Sequence, residues 1–299
     1  MAKRASIVES DNRKIKKTWK SQPTVEGAGV RLKRAFGFNE TPRLDPFLLL
    51  DAFHSENPED YKKGFPWHPH RGIETITYIL DGDVEHGDSL GNRGLISAGD
   101  VQWMTAGSGI VHQEMPKGDR KGEMWGFQLW SNLPARHKMM APRYREVKQN
   151  EIPQVKTADG ATVRVIAGEV AGVQGPVREI VTEPVFLDVS LPAGKSFTHP
   201  VKPGHTVFAY VAEGEGFFDT PGTFARETSG AHAEGTVILY GPGNSVTVST
   251  DKKSVRFLLV AGKPLDEPIA WYGPIVMNTQ QELETAFKEY QEGTFVRRT

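Results

Sequence analysis

Short strand-like segments punctuated by glycine turns run through this chain in two matching series, and that duplication limits the folds open to it. AEGEGFF (212–218) follows a strand-like run as LDGDVEH (80–86) does, and GTVILYGPGNSVTV (235–248) is laid out like GDVQWMTAGSGIVH (99–112). Two copies of a unit of roughly 130 residues are too few for a solenoid array and fit a duplicated all-β domain. Closing each copy into a barrel would remove exposed strand edges. The expected architecture is therefore all-β, with two tandem jelly-roll β-barrels.

The local patterns support this. GVRLKRAFGF alternates apolar and polar residues, as a half-buried strand does, whereas PFLLLDAF (46–53) is a continuous apolar run suited to a strand buried on both faces. ETITYIL (74–80) is rich in β-branched and aromatic residues and ends at the turn DGD. In EMWGFQLWSNL (123–133), Trp125, Phe127 and Leu129 share one strand face and Met124, Gln128 and Trp130 the other. Residues 134–162 are polar, Pro-bearing and weakly periodic, and read as an inter-domain linker. We accordingly divide the chain into a first barrel at 1–140 and a second barrel, ending in a helix, at 141–299. The tail NTQQELETAFKEYQEGTF (278–295) is the one clear helix: Asn278 or Thr279 can cap it, Leu283, Phe287 and Tyr290 share a face, and Gly293 can end it.

Composition excludes several function classes. The chain has no cysteine, so thiolate metal sites and disulfides are out. A formal net charge of -1 argues against strong nucleic-acid binding, and the basic run Lys14, Lys16, Lys17, Lys20, diluted by Glu9 and Asp11, reads as a solvated terminal strand or turn. No apolar stretch is long enough to span a membrane, and the N-terminus has no signal-like apolar core; the expected location is cytoplasmic.

Two dipeptide-spaced pairs carry the chemistry. His68-Pro69-His70 places two imidazoles on one face of an extended segment, and His112-Gln113-Glu114 does the same with an imidazole and a carboxylate. One His-x-His pair is usually incidental. Two pairs on neighbouring strands would point His68, His70, His112 and Glu114 into one barrel interior. Three nitrogens and one carboxylate leave two positions of a six-coordinate ion open, the layout of an oxygen-activating Fe(II) site. Counted along the chain, Glu74 shares the face of His68 and His70, so spacing alone leaves it as a rival carboxylate ligand or as a partner standing behind a histidine. Of the other histidines, His54 reads as a strand-end hydrogen-bonding residue, His86 as a turn residue and His137 as part of the linker, while His199, His205 and His232 form no such pair. Phe53, Trp67, Trp103, Met104, Met124 and Phe127 are candidates to line the cavity, although most such residues are core fillers, and Arg71, of opposite parity to His70, is expected to face out or cap the mouth.

FPWHPHRGIETITYILDG (65–82), GDVQWMTAGSGIVHQEMP (99–116), GFQLWSNLPARHKMMAPRYREV (126–147) and GKPLDEPIAWYGPIVMNTQQELETAFKEYQEGTF (262–295) together resemble the pirins, a family within the cupin superfamily, over nearly the whole chain. The resemblance implies a bicupin in which only the first barrel holds a metal. It also implies the ligand set His68, His70, His112 and Glu114, with Glu74, the position used by cupins in general, in reserve or behind a ligand. Thr105 stands where a proline is common in cupins, and Gly107 and His112 are further apart than usual. The implied ion is one mononuclear divalent metal, Fe(II) first, with Mn, Co, Ni, Cu or Zn as alternatives. Two kinds of function are implied. One is quercetin 2,3-dioxygenase-like cleavage of a flavonol-like aromatic substrate by dioxygen, with Glu114 as the catalytic base. The other is a non-enzymatic iron-binding regulator that acts through a protein partner. Pirins are usually monomers. Metal-assisted isomerase or lyase chemistry on sugars, common among cupins, would want polar residues in the cavity in place of Trp, Met and Phe.

Overall fold

Strands that must bury both faces need two partners, and here each large sheet finds them. The computed structural model describes residues 11–219 and 230–297; the first ten residues, read above as lacking a signal-like core, lie outside that range. A seven-stranded antiparallel sheet runs in the order Arg143–Val147, Val101–Thr105, Ile73–Asp81, Met124–Asn132, Phe47–Ser55, Val30–Phe36 and Gln22–Glu26. One of its faces meets a four-stranded sheet ordered Phe65–His70, Ile110–Pro116, Val84–Asp88 and Arg93–Ile96. Its other face packs on the large sheet of the second half, whose central strands are Thr206–Gly216, Val255–Gly262 and Val185–Leu191. Phe36, Phe47, Tyr78 and Phe127 from the first half share one core with Phe186, Phe208, Tyr210 and Leu258 from the second. A second core lies within the other barrel, around Val165, Phe197, Phe218 and Phe257. The two-barrel, cupin-type arrangement expected from the repeat is therefore the fold. The apolar run 46–53 is continuous because its strand is covered on both sides.

The stretch read as a linker is more structured than its composition suggests. Arg143–Val147 becomes the edge strand of the first sheet, and Gln154–Lys156 the edge strand of the second half's sheet. Their alternation of exposed and half-buried residues is that of edges wetted on one side, which is why the hydrophobic period is weak. Two segments cross the proposed division at residue 140. Ile15–Lys20, near the N-terminus, pairs with Thr236–Tyr240 in the second half, leaving its lysines at the surface. The tail forms a small hairpin, Ala270–Tyr272 with Ile275–Met277, which sits against the first barrel, and then the helix Gln280–Gln291. The Thr279 side chain caps that helix reciprocally with Glu282, and Gly293, at φ +73°, follows its end. The helix buries Leu283 and Ala286 and half-buries Phe287, while Tyr290 stays exposed.

Candidate metal centre

Strand pairing brings the two spaced pairs together. The strands Phe65–His70 and Ile110–Pro116 are antiparallel neighbours, with His112 opposite His68 and Ile110 opposite His70. Alternation then turns all three imidazoles to one side of the small sheet. Nε2 of His68 lies 3.1 Å from Nε2 of His70 and 2.9 Å from Nε2 of His112. His70 and His112 are buried and His68 is partly exposed, so the cluster opens through His68.

The tautomers show what these nitrogens are for. Nδ1 of His68 lies 2.8 Å from the carbonyl of Pro66, and Nδ1 of His70 lies 3.0 Å from that of Pro274. A carbonyl only accepts, so both Nδ1 atoms carry the proton and both Nε2 atoms present a bare lone pair. Two lone pairs aimed at each other across 3.1 Å repel unless a cation lies between them. Around an ion about 2.1 Å from each nitrogen, ligands at right angles would stand about 3.0 Å apart. The three imidazoles thus fit a metal, bound on one face of its coordination sphere. Burial, and then the charge of the neighbouring imidazoles, hold His70 and His112 well below the usual histidine range, so both are neutral and ready to ligate.

The register shifts between His112 and Glu114, and the carboxylate of Glu114 does not join the tight histidine group. It is buried and held by the large sheet: Thr77 donates to Oε1 at 2.8 Å and Gln128 to Oε2 at 2.7 Å. Glu74 lies elsewhere in the fold. The Arg71–Gly72 turn separates the strand of His68 and His70 from Ile73–Asp81, which belongs to the other sheet, so parity counted through the turn carries no meaning. Glu74 is buried, accepts from Thr105 at 2.7 Å, and is raised above the usual carboxylate range by burial.

A cavity of about 750 Å³ opens beside His68 and His70. Gln128 and Trp130, which share a strand face, line it together with Phe65, Leu49, Phe38 and the tail segment 271–274. None of the six candidates lines it, and five of them fill cores, the more ordinary of their two readings. Trp103 and Phe127 face the second barrel, Phe53 and Met124 fill a smaller core near Val84, Met104 packs with Ile73 and Ile110, and Trp67, alternating with His68, is exposed. Parity removes Trp67 from the face of His68, while Phe53 and Met124 share a face with lining residues but lie further along their strands, in the smaller core. The tail residues carried no signal beyond being aromatic and lie some 200 positions from the ligand they approach.

Three further readings change. Arg71 neither faces out nor caps the mouth: it is 1% exposed, donating to the carbonyls of Ser108 and Phe295, pairing with Glu289 at 2.6 Å, and lying 4.2 Å over the Phe295 ring. His86 is not a turn residue. It is buried in Val84–Asp88, stacked on Tyr144 and 5.5 Å from the ring of His112. His137 ends a short turn of 3-10 helix in what was read as linker. His54 is a hydrogen-bonding residue near its strand's end, as expected, with Nε2 3.1 Å from Glu123.

The Pirin family profile matches residues 29–131, and the Pirin C-terminal cupin domain profile matches residues 186–296. A pirin-like protein of Caulobacter vibrioides is 44% identical over 95% of this chain and 99% of its own.

The chain belongs to the pirin family.

Human pirin is 41% identical over 91% of this chain and 90% of its own length. Among solved structures, quercetin 2,3-dioxygenase from Acinetobacter baumannii superposes with a TM-score of 0.85 at 32% identity, covering 95% of this pirin and 98% of that chain. Similarity on that scale extends over both barrels and the tail. In this pirin no helix among the described residues is long and apolar enough to cross a membrane.

Proposed function

We propose that this pirin is a metal-dependent dioxygenase that opens the central ring of a flavonol-like aromatic substrate. The reading rests on the convergence of three imidazoles beside an aromatic-lined cavity, and the kinship with a quercetin 2,3-dioxygenase supports it. Residues 1–140 would form the metal-binding domain, and 141–299 a second barrel without metal whose tail helps to wall the site. His68, His70 and His112 would hold one divalent ion, Fe(II) first among the candidates, with Glu114 as the carboxylate ligand. Such an ion would supply Lewis-acid polarisation of a bound hydroxyl and redox chemistry with dioxygen.

The rest falls to the chain. The Pro66 and Pro274 carbonyls fix the ligand tautomers. Thr77 and Gln128 aim the Glu114 carboxylate, which would take the proton of the substrate's 3-hydroxyl. The cavity orients the ring and limits access of water. Both atoms of dioxygen would enter the ring-opened ester as carbon monoxide leaves.

The test is turnover. Protein loaded anaerobically with Fe(II), and separately with Mn, Co, Ni or Cu, is given quercetin and oxygen, and flavonol absorbance and carbon monoxide are followed. His112→Ala is expected to lose both metal and turnover. Full activity in verified metal-free His112→Ala protein, or no activity with any metal, defeats the proposal.

A further inference from the structure

The floor of the cavity is striped, and the stripes specify more about the ligand than the metal does. Across the seven-stranded sheet Thr77 stands opposite Gln128, Gln128 opposite Asp51, and Asp51 opposite Arg34. This row is polar throughout. It starts at the two donors of Glu114 and ends at an ion pair in which Arg34 grips both oxygens of Asp51, at 2.8 and 2.7 Å. At about 4.8 Å per strand, Arg34 lies on the order of 10 Å from Gln128, two strands away. Glu26 holds the outer edge of Arg34 at 2.8 Å, so the pair is fixed from both sides.

Two residues along the same strand, on the same face, the cavity wall turns apolar. Trp130 stands opposite Leu49, its ring 5.0 Å from that of His70 and perpendicular to it. Trp271, from the tail hairpin, continues the surface 6.0 Å beyond Trp130, and Phe38 lies 5.6 Å beyond Trp271. Both indole N–H groups are turned back to their own surroundings, Trp130 to Gln128 at 3.2 Å and Trp271 to the Gly273 carbonyl at 2.7 Å. What remains for a ligand is ring surface. The aromatic path runs unbroken from a metal ligand to the mouth, where Phe38 is 66% exposed.

We infer that the cavity selects an elongated flat aromatic ligand carrying hydroxyls along one edge, with Trp271 as the stacking wall and the Asp51–Arg34 pair as a distal hydroxyl subsite. The inference deepens the dioxygenase reading and rests on its placement of the ligand beside the metal. Asp51 accepts from a ligand hydroxyl with the lone pairs Arg34 leaves free, and Arg34 donates with the N–H groups that face neither acid. Both residues determine specificity and touch no reacting atom.

The experiment reads binding, not turnover, so the two proposals can fail separately. Anaerobic metal-loaded protein is titrated with flavonols bearing two, one or no hydroxyls on the pendant ring, and with acetohydroxamate as a small non-aromatic chelator, following tryptophan fluorescence and metal absorption bands. The wild type is expected to prefer the dihydroxylated flavonol over the unsubstituted one by about tenfold, the worth of one charge-assisted hydrogen bond. Asp51→Asn should bring that ratio close to one. Trp271→Ala should weaken every flavonol about tenfold and leave acetohydroxamate unchanged, with Trp271→Phe recovering most of the loss. A wild type that ignores the pendant hydroxyls, or an Asp51→Asn protein that keeps the preference, overturns the distal subsite. Undiminished flavonol affinity in Trp271→Ala overturns the wall. Should Asp51→Asn not load metal, Arg34→Lys reads the same ratio with the charge retained but the two-pronged grip lost. Selective binding without turnover sinks the dioxygenase reading and leaves the stripes standing; turnover without selectivity does the reverse.

Discussion

A histidine is suited to be a ligand here because its other nitrogen is already committed. The carbonyls of Pro66 and Pro274 decide which nitrogen of His68 and His70 carries the proton, and both Nε2 lone pairs are thereby turned inward. None of this is visible in a His-x-His spacing. The spacing gives two imidazoles on one face, and the neighbouring carbonyls give them a direction. The two buried carboxylates differ in the same way. Glu114 shares its strand face with His112 and is steadied by Thr77 and Gln128, whereas Glu74 is turned to Thr105. If Glu114 is the fourth ligand, Glu114→Gln should weaken metal binding by roughly 10- to 100-fold, as loss of an orienting or ligating group does. Glu74→Gln should leave the affinity close to that of the wild type. Competition against a chromophoric chelator measures both, and the opposite ranking would make Glu74 the better candidate.

At the scale of elements, the tail is a structural part of the first barrel. His70 bonds to the Pro274 carbonyl, the Val276 amide donates to the Arg71 carbonyl, and the buried Lys138 ammonium bridges the carbonyls of Gly72 and Val276. Gly72 has φ +78°, and a Cβ there would stand 2.0 Å from the Val276 carbonyl oxygen, so the turn that ends the ligand strand admits no side chain. Arg71 is the latch of this arrangement. It joins the turn to Phe295 and Glu289, while its donation to Ser108 reaches the loop before His112. Arg71→Met should therefore cost about 3 kcal/mol in urea denaturation, because it strips the partner from Glu289 and leaves two carbonyls without their donor. A change within about 0.5 kcal/mol, the range of ordinary surface substitutions, would show that the latch holds nothing. The helix itself was legible from its cap and its apolar face. That it would end up bracing the loop beside the histidine cluster was not.

Over the whole molecule, the shared core couples the two barrels. Phe208 touches Phe36 and Phe47 edge-on at 5.2 and 5.3 Å, and Tyr78 donates across the interface to Asp188 at 2.6 Å. We expect one cooperative unfolding transition, with Phe208→Ala lowering its free energy by about 3–5 kcal/mol without splitting it. Two transitions in calorimetry would mean that the halves fold independently. The ligand cluster adds a pH dependence. Burial holds His70 and His112 well below their ordinary value of about 6.5. Below that pH the unfolded chain binds protons that the folded apoprotein refuses. Their contribution to stability is thus fully present above about 6.5 and is lost as pH falls toward the lowered folded values. Metal-free protein should melt at a clearly lower temperature at pH 5 than at pH 7.5, a difference that His70→Ala and His112→Ala each reduce.

Order along the chain was enough to establish the class of fold, the duplicated barrels, the terminal helix and the histidines that meet. All of these depend on local periodicity: alternation puts residues 68 and 70 on one face, and glycine turns bring strands back alongside each other. Alternation also puts Gln128 and Trp130 on one strand face, though not which cavity that face would line. Tertiary structure alone decided the rest. The Arg71–Gly72 turn moved Glu74 to another sheet, packing of the second barrel claimed Trp103 and Phe127, and the tail carried Trp271 and Pro274 to a site some 200 residues away. Strand periodicity fixes which face a residue takes, but which neighbour that face meets is settled only when sheets pack, and packing joins residues that share no local pattern.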